Sequence, residues 1–213
     1  MPVRFQYDFD KFLAIVLYMA EKVPELDTYK VLKLLFLADK YHLVRFARPI
    51  TGDRYAALEY GPVASQSFDL IKQFTAARKR GNERDDAVDD VFAPPPIALS
   101  KQVLAMLENL DMDMRFRYPR FLPKSGPEFS HLSKSDLMAL DHVIERFGPL
   151  GFNELKSITH SVFAYRKTWA ECPMGWMDFE DFFEEDADAI EGARELMLEN
   201  AEISESFPSI DAI

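Results

Sequence analysis

The run Val31–Ala38, VLKLLFLA, constrains the fold more than any other part of this 213-residue chain. Val31, Leu34, Leu35, Ala38 and Tyr41 recur at helical spacing, and Leu32 and Leu37 widen the stripe. A helix apolar over that much of its circumference has to be covered on several sides, so other elements must pack around it. Asp27 is placed to cap its start, and Pro49 requires it to have ended. Lys30, Lys33, Asp39 and Lys40 break the apolar stretch, so no membrane span of about 18 uncharged residues is expected.

The candidates for that cover are helical. Phe9, Phe12, Leu13, Val16, Met19, Ala20 and Val23 form one stripe, with Asp8 as N-cap and Pro24 as stop. Thr51-Gly52-Asp53 reads as a turn and Tyr55–Tyr60 as a strand, interrupted by Gly61-Pro62. Ser65 is the expected cap of a helix carrying Leu70, Ile71 and Phe74, which runs into the charged loop KRGNERDDAVDD. Asp85, Asp86, Asp89 and Asp90 in that run lack the order of a calcium loop. Pro94–Pro96 make a stiff connection. Ser100 opens a helix with Val103, Leu104, Leu107 and Leu110 on one side.

Arg115, Phe116, Arg117 and Tyr118 alternate cation and ring, which is strand periodicity, with Pro119 confining the strand to an edge. Residues near Arg115–Leu122 and Tyr55–Tyr60 are expected to pair antiparallel, because a lone strand cannot satisfy its backbone. Ser133 and Asp136 have capping-box spacing before Leu137, Leu140, Ile144 and Phe147, and Gly148-Pro149 ends that helix. Asn153 is the expected cap of the next, which carries Leu155, Ile158, Thr159 and Val162. The reading is α+β: a mostly helical single domain with a small antiparallel sheet.

Charge divides the chain. From Glu171 onward there are 14 Asp and Glu against one basic residue, Arg194; the preceding residues are +2 of a total of −11. The division expected is a body at 1–170 and an acidic, helical segment at 171–213. Asp178 starts that helix, with Phe179, Phe182, Phe183 and Ile190 on one face. The acids suit a basic partner, while the rings serve either as anchors for it or as packing.

Catalytic patterns are absent from the sequence. His42, His131, His142 and His160 have neither i,i+4 spacing nor cysteine neighbours, and no phosphate loop or nucleophile elbow occurs. His42 and Asp39 can share a helix face as a surface contact. No cofactor, no metal and no enzymatic activity are expected. Cys172 is the only cysteine, which suits a reducing compartment. The opening MPVRFQYDFDKF lacks the pattern of a signal peptide, and a cytoplasmic protein is expected. Arg115–Phe121 has the residue types that bind single-stranded nucleic acid, but the net charge argues against that partner.

Two blocks carry a family resemblance: VLKLLFLADKYHLVRFARPITGDRYAALEYGPVAS at 31–65 and SKSDLMALDHVIERFGPLGFNELKSITH at 133–160. Together they resemble the Panacea, or SocA-like antitoxin, domain over roughly residues 5–170. The matching positions are Tyr41, Pro49, Gly52, Asp53, Tyr55, Gly61 and Pro62, each with a structural reading of its own as turn, stop or loop residue. The resemblance implies a type II antitoxin that neutralises a protein toxin by direct contact. Alternatives are an adaptor that delivers the toxin to a Clp-type protease, and an operon autoregulator that binds nucleic acid. The expected contact residues are Phe179, Glu180, Asp181, Phe182, Phe183, Glu184, Glu185, Asp186 and Asp188, facing a basic toxin surface.

Overall fold

The computed structural model describes residues 2–85, 99–184 and 187–206, with side chains for all of these except 80–85 and 187–189. In chain order the elements are α1 (Phe9–Lys22), α2 (Thr28–Phe46), β1 (Tyr55–Leu58), β2 (Gly61–Ala64) and α3 (Ser65–Asp85). There follow α4 (Lys101–Asn109), β3 (Leu110–Asp113), β4 (Arg120–Pro123), α5 (Lys134–Phe147), α6 (Phe152–Ser161), α7 (Phe163–Glu171) and α8 (Ala187–Ser206). Short 3-10 turns lie at Phe129–His131 and Phe179–Phe183. The mostly helical α+β single domain is the expected class.

The apolar run does become the centre. Asp27 caps α2 by accepting from the Lys30 amide, and the helix ends in a left-handed Ala47 two residues before Pro49. Val31, Leu34, Leu35, Phe36 and Ala38 have no exposed surface. Around α2 pack α1, α3, α5, α6, β2 and the Phe179–Phe183 turn. Asp8 and Ser100 cap α1 and α4 through their side chains, and Ser133 with Asp136 forms the capping box of α5.

The strands pair differently from the expectation. Tyr55–Leu58 pairs with Gly61–Ala64, so Gly61-Pro62 opens the second strand of a hairpin whose turn is Glu59-Tyr60. Arg120–Pro123 pairs with Leu110–Asp113 in a separate two-stranded sheet. Arg115–Tyr118 forms the connection between those strands, tied by the Asp113 carboxylate to the backbone and guanidinium of Arg115. Local pairing across a short turn closes a smaller loop than pairing across some 60 residues, and so costs less chain entropy.

Other boundaries also shift. Ser65 is the first residue of α3 and not its cap; the cap is the side chain of Asp53. The helix continues through KRGNER to Asp85, while Asp86, Asp89, Asp90 and Pro94–Pro96 lie outside the described residues. Leu104 is on the exposed side of α4, where Met106 takes the buried place. The cap of α6 is Gly151 and not Asn153: Glu154 reaches back to accept from the Gly151 amide. Leu35 is wholly buried against this shell, so Leu35→Ala should lower unfolding free energy by about 2–5 kcal/mol, read from denaturant midpoints.

Candidate functional site

Asp39 interrupts the apolar stripe of α2 and is fully buried. Its carboxylate accepts from the Ile50 amide (2.7 Å), the Thr51 amide (3.3 Å), the Thr51 hydroxyl (2.9 Å) and the Tyr55 hydroxyl (2.7 Å). Burial pushes this carboxyl up, and the bonds from Tyr55, Thr51 and Ile50 pull against it. Two residues past Thr51, Asp53 accepts from the amides of Arg54, Gln66 and Ser67, which satisfies the first turn of α3. Gly52 between them has φ +70°, and a Cβ there would stand 2.0 Å from the Gln6 carbonyl oxygen. Pro49, Gly52, Asp53 and Tyr55 thus build one latch from α2 to the hairpin and α3.

Gly61 and Pro62 build a second. The ammonium of Lys33, 1% exposed on α2, donates to the Pro62 carbonyl at 2.8 Å. Gly61 has φ +101°, and a Cβ there would approach Lys33 Nζ and Thr159 Oγ1 at 3.0 Å each. Among the described residues no carboxylate pairs with Lys33, and burial pushes its amine down to about 7.

Of the four histidines His42 is buried, and His131, His142 and His160 are partly exposed. His42 is buried rather than a surface neighbour of Asp39. Its Nδ1–H donates to the Arg48 carbonyl at 2.8 Å, and Nε2 faces Ser135 Oγ at 3.0 Å and Asp136 at 3.2 Å. Burial opposes the charge of Asp136, but His42, Lys11 and Arg48 outweigh it and hold the carboxyl well below the usual range. Asp136 joins α5 to α1 and to the end of α2; its capping role is legible in the sequence, its ion pairs are not. Tyr41, the remaining motif position, stacks on the ring of His142 at 4.3 Å and has the guanidinium of Arg45 3.7 Å from its ring. His160 packs on Tyr165 and His131 lies near Glu128. Among the described residues no group of three His, Cys, Asp or Glu side chains is placed to hold a metal ion.

The acidic segment is docked along the body. Residues 174–177 add a third edge to the β1–β2 hairpin: the Met174 amide donates to Ala57, Ala57 to Gly175, and Met177 to Tyr55. The expected single helix from Asp178 is broken at Glu184, whose φ is +66°. Phe179 and Phe182 are buried, Phe179 edge-on to Phe5 and Phe182 against Phe36 and Tyr55, so both rings serve as packing. Phe183 is half-buried beside the core. Asp181 pairs with Lys167, Glu180 with Arg194, and Glu184 with Lys40. Glu185, Asp186 and the side chain of Asp188 lie outside the described residues.

This is a helical scaffold whose two latches are filled by its own residues. The family described as antitoxin SocA-like, Panacea domain, matches residues 31–163, and the chain belongs to that family. An antitoxin role, with a toxin as partner, follows in general terms from membership. No curated protein and no solved structure matches the chain. Among the described residues no helix is long and apolar enough to cross a membrane.

Two substitutions test the latches. Asp39→Ala strands the Tyr55 and Thr51 donors in the interior and should cost on the order of 3 kcal/mol or more in urea unfolding. Lys33 gives a pH signature. Its folded value, about 7, is below the unfolded value near 10.4, so the unfolded chain binds more protons between them. Stability from this group therefore rises with pH across that window, by at most ~1.4 kcal/mol per pH unit. Comparing wild type with Lys33→Met from pH 6.5 to 9.5, the variant should gain relative stability at the acid end and lose that slope.

Proposed function

We propose that this protein is the antitoxin of a type II toxin–antitoxin pair, and that it neutralises a basic toxin by direct contact without catalysing a reaction. Family membership supports the antitoxin half of this reading. The mode of contact rests on one observation, the outward face of α8. Leu196, Leu198 and Ile203 are each about half exposed there. Glu191, Glu195, Glu199, Glu202 and Glu205 stand among them, with no cation partner among the described residues. Unpaired carboxylates with exposed apolar side chains suit a cationic surface that also has apolar ground to bury.

The expected contact therefore moves outward from Phe179 and Phe182, which are used in packing, to α8. The acids speed encounter and the apolar side chains slow release. The experiment measures association and dissociation rates against ionic strength, using the toxin from the neighbouring reading frame. Glu195→Gln, Glu199→Gln and Glu202→Gln together should slow association about tenfold at low salt and flatten its salt dependence, with the melting temperature unchanged. Leu196→Ser with Ile203→Ser should raise the dissociation rate. Rates and salt slopes identical to wild type in both variants would place the contact elsewhere.

A further inference from the structure

The hairpin turn Glu59-Tyr60 overhangs a cleft on the body. It is lined by the rings of Tyr29, Tyr60, Phe68 and Tyr118 with Leu32 and Leu58, and its volume is about 170 Å³. The rings hold one another through Phe152, whose centroid is 4.3 Å from Tyr29, 6.1 Å from Tyr118 and 6.2 Å from Tyr60. Tyr60 is 47% exposed at the mouth.

Cations surround this aromatic well. Lys33 lines it with its amine 5.1 Å from the Tyr29 ring, and among the described residues its one hydrogen bond is to the Pro62 carbonyl. Lys156 stands 5.1 Å from the Tyr60 ring and Arg117 5.7 Å from that of Tyr118. Neither has a carboxylate partner among the described residues. Of the acids on these elements, Asp27 is used as the α2 cap, Glu25 is held by Arg120 and Glu154 accepts from the Gly151 amide, while Glu59 lies in the turn. Lys156 and Arg117 thus offer positive charge at this rim that no carboxylate among the described residues pairs with, on a chain of charge −11.

We propose that this cleft is a docking site for an acidic peptide segment of a partner protein, which inserts one aromatic side chain between Tyr60 and Tyr118. The volume fits, since a cavity of about 150 Å³ holds a benzene ring. The walls offer edge and face to a guest ring. Carboxylates flanking that ring meet Lys156 and Arg117 at the rim and place an acceptor toward Lys33, so charge complementarity selects an acidic segment over a basic one. The site uses elements other than α8, so it stands or falls independently of the toxin contact.

The test uses the full chain and a labelled peptide with phenylalanine flanked by two aspartates on each side, followed by fluorescence anisotropy. Saturable binding is expected, weakened at least about tenfold by Tyr60→Ala, by Lys156→Glu with Arg117→Glu, and by Lys33→Met. Replacing the peptide's phenylalanine with alanine, or its aspartates with lysines, should cost as much. Unchanged melting temperatures for Tyr60→Ala and the rim variant make a loss of binding specific. Absence of saturable binding, equal binding of the alanine peptide, or indifference to Tyr60→Ala overturns the proposal. A thymidine oligonucleotide that binds more tightly and displaces the peptide also overturns it, in favour of single-stranded nucleic acid.

Discussion

The carboxylate of Asp39 is the point on which the chain's path depends. It lies fully buried, and four donors from residues 50–55 converge on it. Removing a buried carboxylate from water is costly, and only a complete set of partners makes the arrangement stable. Those partners come from one loop, so the loop has one place to be. From there the consequences run outward. The Asp8 amide donates to the Thr51 carbonyl, which seats the start of α1. Tyr55, fixed by its hydroxyl, puts its ring 5.2 Å from Phe36 and 6.1 Å from Phe182. The backbone of Tyr55 then accepts the Met177 amide, so the C-terminal segment is aligned by the same residue.

Lys33 acts in the same way about 9 Å nearer the start of that helix. Lys33 and Asp39 do not pair with each other; each holds a different strand of the hairpin. Where the apolar stripe is broken by a charge, a loop is pinned. This gives the breaks in VLKLLFLADK a meaning that hydropathy alone does not. They fix register, which an apolar contact, tolerant of sliding, fixes poorly.

How much of this is legible follows from the range of the interactions. Helix starts capped from within three residues, at Asp8, Asp27, Ser100 and Ser133, can be read from sequence because donor and acceptor are adjacent in the chain. The start of α3 cannot, because its cap, Asp53, comes from 12 residues upstream. The strands are recognisable as extended, but their partners are not. Gly61-Pro62 has the composition of an interruption, yet Pro62 supplies a carbonyl to Lys33 and needs no amide for that. Cation–ring alternation at Arg115–Tyr118 suggests a strand, but Tyr118 packs on Tyr29 and Phe152 and Arg115 folds back on Asp113. At the sites, turn geometry at Gly52 and Gly61 is legible. The burial of Phe179 and Phe182 depends on Phe5, Phe36 and Tyr55, distant residues that no local pattern connects to them.

The distribution of charge gains a structural sense from the several points at which the acidic segment is held. Edge pairing at 174–177, the rings of Phe179 and Phe182, and the pairs Lys40–Glu184, Lys167–Asp181 and Arg194–Glu180 fix its inner side to the body. At the far end Asn200 donates to the Phe46 and Ala47 carbonyls, and the Gln6 amide to Ser204. The remaining carboxylates of α8 are left without partners among the described residues, on the side facing water. A free acidic tail would attract a basic surface but would lose chain entropy on ordering against it. A helix already fixed on its scaffold would present the same charge to the proposed basic partner with that cost met in folding, so that more of the interaction would appear as affinity.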